Sequence, residues 1–180
     1  MNIEEDVVTR IRLSGSEVLD PVDVIFVNSS PGRGKIYIEC RGKSWSSYWG
    51  AMGSLTVQEF FISCGSDYII KNLSDICTTQ YIPSGEKFVS ALYKYIHEMS
   101  RAGVLSKASE KELLVAAQHF SESGFTTPIQ EIMQKVFGDD WWTCVPTEPN
   151  PEYEYLKIVV ETVQEGLREW LSKTVQFLEC

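Results

Sequence analysis

The hydrophobic pattern of this 180-residue chain changes its period near residue 54. Before that point apolar and polar residues alternate, as in strands that bury one face of a sheet. Beyond it apolar residues recur every three or four positions, as in amphipathic helices. The change predicts an α+β fold: a small N-terminal antiparallel β-meander of three to four strands, followed by a helical C-terminal half with a long terminal helix. We treat residues 1–180 as a single domain, with a β-rich part over 1–53 and a helical part over 54–180.

Four short segments of the β-rich part carry the β-branched and aromatic residues that are typical of strands. They cover residues 8–13, 22–27, 36–40 and, as a weaker fourth candidate, 43–49. Turns rich in glycine, serine and proline separate them, and no helix-forming run lies between them. Sequential strands without helical crossovers favour antiparallel pairing.

The helical part contains several helix start signals. Thr56-x-x-Glu59 is a capping box, in which the hydroxyl and the carboxylate each satisfy a backbone donor. Two further helices are expected over 67–73 and 86–101, with a loop over 75–85 between them. Three more are expected to start at Ser109-x-x-Glu112, at Thr127-Pro128 and at Asn150-Pro151. At roughly 27 residues the last helix exceeds the usual length of about 8–20 residues. Either its far end frays or it packs on a partner, so we consider a homodimer through this helix.

The chain is acidic, with 16 Lys and Arg against 25 Asp and Glu and a formal net charge of −9. Such a protein repels nucleic acid unless its basic residues gather on one face. The N-terminus lacks the basic and apolar regions of a signal peptide, and no run approaches the roughly 18 apolar residues of a membrane span. The five cysteines are scattered singly, which favours reduced thiols. These features predict a cytoplasmic protein that does not engage a membrane.

The sequence carries only weak signals of catalysis. Gly42-Lys43-Ser44 resembles the end of a phosphate-binding P-loop, but Tyr37 occupies the position of its first glycine. The two histidines, His97 and His119, form no H-E-x-x-H pair, and no G-x-S-x-G elbow is present. The sequence therefore predicts no catalytic residue, no metal site and no cofactor. An active site assembled from distant residues stays open as an alternative.

Residues 32–49 combine basic and aromatic side chains in a chain that is otherwise acidic. Phosphate contacts by cations, together with base stacking on aromatic rings, are how proteins hold single-stranded nucleic acid. The candidate residues for such binding are Arg33, Lys35, Arg41, Lys43, Trp45, Tyr48 and Trp49. The simpler interpretation, which we favour, is a sheet with a solvated charged face and with tryptophans packed under the helices.

Two further features are candidate contacts for a protein partner. Trp141 and Trp142 are adjacent, so that one ring can pack between helices while the other is exposed, as at a binding hot spot. Burial of both rings is the alternative that we favour. Glu161, Glu165 and Glu169 lie one turn apart on the last expected helix. They form either an ordinary solvated face, which is the simpler interpretation, or a patch for a basic partner.

Two stretches of the chain are similar to a known family. They are residues 34–53 (GKIYIECRGKSWSSYWGAMG) and residues 136–146 (VFGDDWWTCVP), the latter continued at 149–156 (PNPEYEYL). They resemble a family of small accessory proteins of lambdoid phages and enterobacterial prophages. The resemblance implies the cytoplasm of an infected bacterial host as the setting, and it brings no activity or catalytic residues with it.

We therefore expect a non-enzymatic phage accessory protein that binds a host or phage protein, with inhibition of a host function as one way in which it acts. Binding of single-stranded nucleic acid by residues 32–49 is the alternative function.

Overall fold

The computed structural model describes residues 3, 8–81, 86–123, 134, 139–144 and 147–178. Contacts between Cα atoms divide the chain into two compact units. Unit 1 comprises Met1–Thr78 and Pro151–Cys180, and unit 2 comprises Thr79–Asn150. Unit 2 is thus an insertion in the sequence of unit 1. The division does not follow the change of period at residue 54, because the last helix belongs with the N-terminal sheet.

The sheet of unit 1 has four antiparallel strands in the order β1-β2-β3-β4. Their bounds are Thr9–Leu13, Val22–Ser30, Arg33–Cys40 and Lys43–Trp49. Each strand pairs with its neighbour in sequence, and a register shift between Asn28 and Ser30 marks an irregularity near the end of β2. The predicted α+β class and the four-stranded meander are confirmed.

Three helices of unit 1 follow the sheet in sequence. They are α1 (Val57–Ser63), α2 (Ser66–Leu73) and the last helix (Pro151–Leu178). The core lies between the helices and one face of the sheet. Its fully buried side chains include Val22, Val24, Phe26, Ile36, Ile38, Phe61, Ile69, Ile70, Leu156, Val159, Val160, Val163 and Leu167. The apolar stripe expected along the last helix is therefore a buried face.

The start of α1 is fixed by two separate caps. The predicted capping box is present: the Thr56 N–H donates to Glu59 Oε2 at 2.8 Å, and the Glu59 N–H donates to Thr56 Oγ1 at 3.3 Å. The Thr56 N–H and the Thr56 hydroxyl both donate to the Glu59 carboxylate, and these two bonds lower the pKa of Glu59. Asn28, at the end of β2, provides the second cap, because its Oδ1 accepts from the Val57 N–H at 2.8 Å. The sheet thus sets where α1 begins.

The end of α1 is completed by the last helix. Gln164 is one of the few buried polar residues, with 5% of its surface exposed. Its Nε2 donates to the carbonyls of Phe61 and Cys64, each at 2.8 Å. Carbonyls at a helix end have no partner within the helix, so this amide satisfies groups that burial would otherwise leave unpaired.

Unit 2 contains the helices α3 (Glu86–Arg101) and α4 (Lys107–Ser123), a 3₁₀ turn at Trp141–Cys144, and the short strands β5 (Thr79–Tyr81) and β6 (Thr147–Pro149). Its buried apolar residues are Leu92, Ile96, Leu105, Leu113 and Ala117. The strands β5 and β6 pair antiparallel, and they hold the two ends of the insertion together. The segment predicted as a loop over 75–85 thus contains the strand β5. The sequence did not indicate this strand, because its pairing partner β6 is too distant in sequence to affect the local pattern. The helix expected from Thr127 lies outside the described residues.

The start of α4 differs from the prediction. Ser106 is the cap, since its Oγ accepts from the Ser109 N–H at 3.1 Å and its carbonyl accepts from the Glu110 N–H at 2.8 Å. The helix begins at Lys107, ahead of the expected start at Ser109. The serines at 106 and 109 both fit a cap in the sequence. The one that caps the helix, Ser106, directly follows the buried Leu105.

A carboxylate network joins α3 to α4. Glu110 Oε2 accepts from Ser100 Oγ at 2.7 Å and from Lys107 Nζ at 2.8 Å, while Glu110 Oε1 lies 3.0 Å from His97 Nδ1. Lys107 and Ser100, as hydrogen-bond donors to the charged carboxylate, lower the pKa of Glu110 to about 2. The network therefore links the two helices through polar side chains of both.

The network predicts a pH-dependent contribution to stability. Because folding lowers the pKa of Glu110 from about 4.5 to about 2, its charged form stabilises the fold above pH 4.5. This stabilisation is lost as the pH falls from about 4.5 to about 2. In denaturant unfolding followed by circular dichroism, the free-energy difference between wild type and Glu110→Gln should be largest at neutral pH and vanish toward pH 2. Glu112→Gln, exposed on the same helix, is the control; a difference for Glu110→Gln that does not change with pH contradicts the assignment.

The close packing around Gly34 predicts that a side chain at this position destabilises the fold. A Cβ atom at this position would lie 2.4 Å from the Val27 carbonyl oxygen and 2.4 Å from Val57 Cγ2. Because one of these atoms belongs to the backbone of β2, Gly34→Ala should lower the free energy of unfolding by about 1–3 kcal/mol. Gly65→Ala, where a Cβ meets nothing within 4 Å, is the steric control; it should cost less than Gly34→Ala, because it only replaces the glycine N-cap of α2 by a poorer cap. Equal stability of the two variants in urea unfolding would argue against this close approach.

Candidate functional site

The four-stranded sheet has one face that the helices of unit 1 do not cover, which we call the open face. Strand alternation places on it the side chains that remain at least partly exposed. They are Arg10, Arg12, Asp23, Ile25, Val27, Arg33, Lys35, Tyr37, Glu39, Ser44, Ser46 and Tyr48. In β3 the alternation is complete, with every second residue from Gly34 to Cys40 buried and every residue between them exposed.

Two exposed tyrosines lie near one another on the open face. Tyr37 of β3 is 42% exposed and Tyr48 of β4 is 54% exposed. Tyr37 pairs with Ser46, two residues before Tyr48, so the tyrosines are diagonal neighbours at roughly 7–8 Å. Lys35 lies directly opposite Tyr48. Two aromatic rings and an ammonium group therefore share one small area.

The neighbouring strand pair adds positive charge. Arg10 donates to Asp23 Oδ1 through Nη2 at 2.8 Å and through Nε at 3.2 Å, and Arg12 Nη1 lies 3.9 Å from Asp23 Oδ2. One carboxylate, with 15% of its side chain exposed, is thus shared by two guanidinium groups that stay more than half exposed. The other acid, Glu39, accepts from the Gly42 N–H at 3.1 Å in the β3–β4 turn. The sheet segment as a whole, residues 8–53, holds six Lys and Arg against four Asp and Glu, in a chain of net charge −9.

Grooves lie on both sides of the Tyr37 ring. One, of about 400 Å³, is lined by Arg10, Ile25, Tyr37, Glu39, Ser44 and Ser46 among others. The other, of about 230 Å³, is lined by Lys35, Tyr37, Ser46, Ser47 and Tyr48. A flat ligand that stacks on Tyr37 would therefore find hydroxyl groups and cations on either side of it.

The structure divides the residues predicted for nucleic-acid binding between two faces. Arg33, Lys35 and Tyr48 lie on the open face. Arg41 lies in the β3–β4 turn with a φ of 54° and pairs with Asp20 at 3.4 Å.

The remaining three predicted residues face the helices. Lys43 Nζ contacts Glu152 at 3.1 Å and lies 5.6 Å above the Tyr155 ring, which also packs near Trp45. Trp49 is 5% exposed and packs on Phe60 with ring centroids 5.6 Å apart. Its Nε1 is buried without a hydrogen-bond partner among the described atoms. Trp49 is therefore part of the core, as the simpler interpretation of the sequence expected, and cannot stack on a ligand at the surface.

Three basic or aromatic residues of the open face, Tyr37, Arg10 and Arg12, were not among the predicted ones. Tyr37 lies between Lys35 and Glu39 in the alternation of β3, so strand parity alone could have placed it beside Lys35. Arg10 and Arg12 alternate in the same way along β1. They were missed because the sequence signal sought was a continuous basic and aromatic run, whereas the site gathers residues from strands that are distant in sequence.

The residues predicted to bind a protein partner lie in different units. Trp142, in the 3₁₀ turn of unit 2, is 48% exposed; the side chain of Trp141 lies outside the described residues. Glu161, Glu165 and Glu169 of the last helix are all exposed. Glu161 accepts from Ser66 Oγ at 3.2 Å, and Lys173 lowers the pKa of Glu169 through a contact of 2.5 Å. The prediction of a homodimer through the last helix rests on the apolar residues Val175, Phe177 and Leu178. Their side chains are also outside the described residues.

The described residues contain no group of three or more His, Cys, Asp or Glu side chains placed to hold a metal ion. In the same part of the chain no helix is long and apolar enough to cross a membrane.

Comparison with protein families places this chain among phage proteins. The profile of the Phage_phiTE_072 family, described as a phage family, matches residues 1–169. The chain therefore belongs to this phage family, which confirms the coarser part of the sequence resemblance, that this is a phage protein. No match to the chain is found among curated proteins or among solved structures.

Proposed function

We propose that this phage protein is a non-enzymatic accessory protein and that the open face of its sheet binds a single-stranded nucleic acid. The observation that carries the proposal is the juxtaposition of Tyr37, Tyr48 and Lys35 on one uncovered face. Its setting is the cytoplasm of an infected bacterium, and a lambdoid phage of an enteric host is part of the same proposal.

Stacking supplies the first part of the argument. Every base has a flat π-face, so rings presented at the surface of a sheet bind unpaired bases with little regard to sequence. In a duplex these faces are covered by neighbouring base pairs, and the open face has no element that enters a groove. The two tyrosines therefore favour single strands over duplexes.

Electrostatics supplies the second part. Each base of a single strand is followed by a phosphate, so a cation close to a stacking ring can contact the backbone of the base that the ring holds. Lys35 lies beside Tyr48, and Arg10 lies in the same cross-strand row as Tyr37. A nucleic-acid chain that crosses the sheet from β4 to β1 would meet Lys35 beside Tyr48, and then Arg10 two strands beyond Tyr37. This local positive charge explains how a protein of net charge −9 can approach a polyanion.

The proposal predicts that a fluorescently labelled single-stranded oligonucleotide binds the full chain in an anisotropy titration. Tyr48→Ala and Tyr37→Ala should each weaken binding by about 1–3 kcal/mol, or roughly 5- to 150-fold, because each removes one stacking platform. Lys35→Glu should also reduce the magnitude of the log–log salt slope by about 0.7, the value for one lost phosphate contact.

Two exposed residues of α2 serve as matched controls. Tyr68 is 47% exposed and Lys71 is also exposed, but both belong to the helical layer of unit 1. Tyr68→Ala and Lys71→Glu should leave the affinity unchanged. If wild type shows no binding, or if the control variants weaken it as much as Tyr48→Ala and Lys35→Glu do, the open face is not the site.

A protein partner is the second candidate function, with inhibition of a host protein as one form of it. The observation that favours it is an exposed stripe of the last helix on which Ile158, 42% exposed, precedes Glu161 and Glu165 by about one and two turns. An aliphatic side chain beside carboxylates suits a basic protein surface with an apolar centre. Glu169 extends the stripe, and exposed Trp142 of unit 2 is a separate candidate contact with Trp141 beside it in sequence.

This second candidate predicts a charge-dependent capture. From infected cells treated with nuclease, the tagged chain should recover a stoichiometric host or phage protein. The double variant Glu161→Lys/Glu165→Lys should recover at least roughly tenfold less of it, because like charges then face one another. Glu112→Lys, an exposed position of α4, should recover as much as wild type. Equal recovery by all three baits would exclude the stripe as the contact.

A further inference from the structure

The two edges of the sheet differ in how they are protected against pairing with another strand. An unpaired edge offers backbone donors and acceptors to any extended chain, and proteins guard such edges with charges, prolines or bulges. The β1 edge carries Arg10 and Arg12 within its five residues. The β4 edge is seven residues long and has no charge, proline or bulge between Ser44 and Trp49. In the part of the chain that the structure describes, no strand pairs with its outer side.

We infer that β4 is the interface through which two copies of this chain join edge to edge, giving one continuous eight-stranded antiparallel sheet. The occupant of the edge is a second copy because β4 is complementary to itself. In a two-fold arrangement centred on Ser46, each Ser46 faces the other, Trp45 faces Ser47, and Ser44 faces Tyr48. The one charged residue of the strand, Lys43, then lies opposite Trp49, so no like charges meet.

Strand parity supports the same pairing. Residues that lie opposite each other in this register belong to the same face of the sheet, since Trp45 and Ser47 both alternate with the exposed Ser46. The helices of both copies would lie on one side and both open faces on the other. The same operation on β1 would place Arg10 of one copy opposite Arg12 of the other, which like-charge repulsion disfavours. Self-pairing is therefore specific to β4.

This inference does not rest on nucleic-acid binding, and its test contains no nucleic acid. Sedimentation velocity and light scattering on the full chain should show a concentration-dependent species of twice the 20.4 kDa chain mass. Ser46→Lys and Ser46→Glu should each shift the monomer–dimer midpoint to a protein concentration at least roughly fivefold higher, because equal charges then oppose each other at the centre. An equimolar mixture of the two variants should restore the wild-type midpoint through a heterodimer with an opposite-charge pair.

Two controls separate this interface from the alternatives. Ser46→Thr keeps the hydroxyl and introduces a β-branched residue that strands favour, so it should dimerise as wild type does. Thr9→Lys tests the β1 edge and should also leave the dimer intact. Circular dichroism confirms that each variant keeps its fold. A wild-type chain that stays monomeric at every concentration overturns the inference. A dimer that tolerates Ser46→Lys, or one that mixing fails to restore, also overturns it and points to another interface such as the last helix.

Discussion

The packing of the last helix against one face of the N-terminal sheet is the contact on which unit 1 depends. Val24, Phe26, Ile36 and Ile38 of the sheet are almost completely buried, as are Leu156, Val160 and Val163 of the helix. Without the helix, a sheet of this size would expose its apolar face to water, which is the main cost that burial removes. The same helix supplies the Gln164 amide that satisfies the end of α1. One helix therefore both closes the core and completes the neighbouring helix.

The choice of residues that lie on the open face is a consequence of that packing. In a strand, each side chain that turns inward forces its neighbours outward. Burial of Ile36 and Ile38 thus places Lys35, Tyr37 and Glu39 on the opposite face. These outward residues add little to the core, so they are free to differ in ways that suit a ligand. The shared carboxylate of Asp23 keeps the two arginines of β1 in position while leaving their outer atoms in solvent.

Local sequence patterns predicted the parts of this fold that depend on local physics. Strand alternation located all four strands, the Thr56–Glu59 box located the start of α1, and Pro151 located the start of the last helix. Patterns of this kind do not encode which elements meet. The pairing of β5 with β6 and the contact of Gln164 with Phe61 join residues far apart in sequence, so the inserted unit 2 was not foreseen. The candidate site was half predicted: Lys35 and Tyr48 were named and lie on the open face. Trp49 was named with them as a nucleic-acid candidate, but its large ring packs beside Phe60 and Phe61, as the favoured interpretation of the sequence expected.

The insertion of unit 2 has a consequence for the order of events during synthesis. A ribosome makes the sheet first and the helix that covers it last, with the whole of residues 79–150 between them. At synthesis rates of roughly 5–20 residues per second, the apolar face of the sheet waits several seconds in the nascent chain for the last helix, with only α1 and α2 available to cover it. During this time unit 2 can fold, and pairing of β5 with β6 then brings the emerging helix back to the point where the first segment left off. The inserted unit thus acts as a spacer between the sheet and the last helix, and a chain that stops before residue 151 lacks every buried side chain that this helix adds to the core.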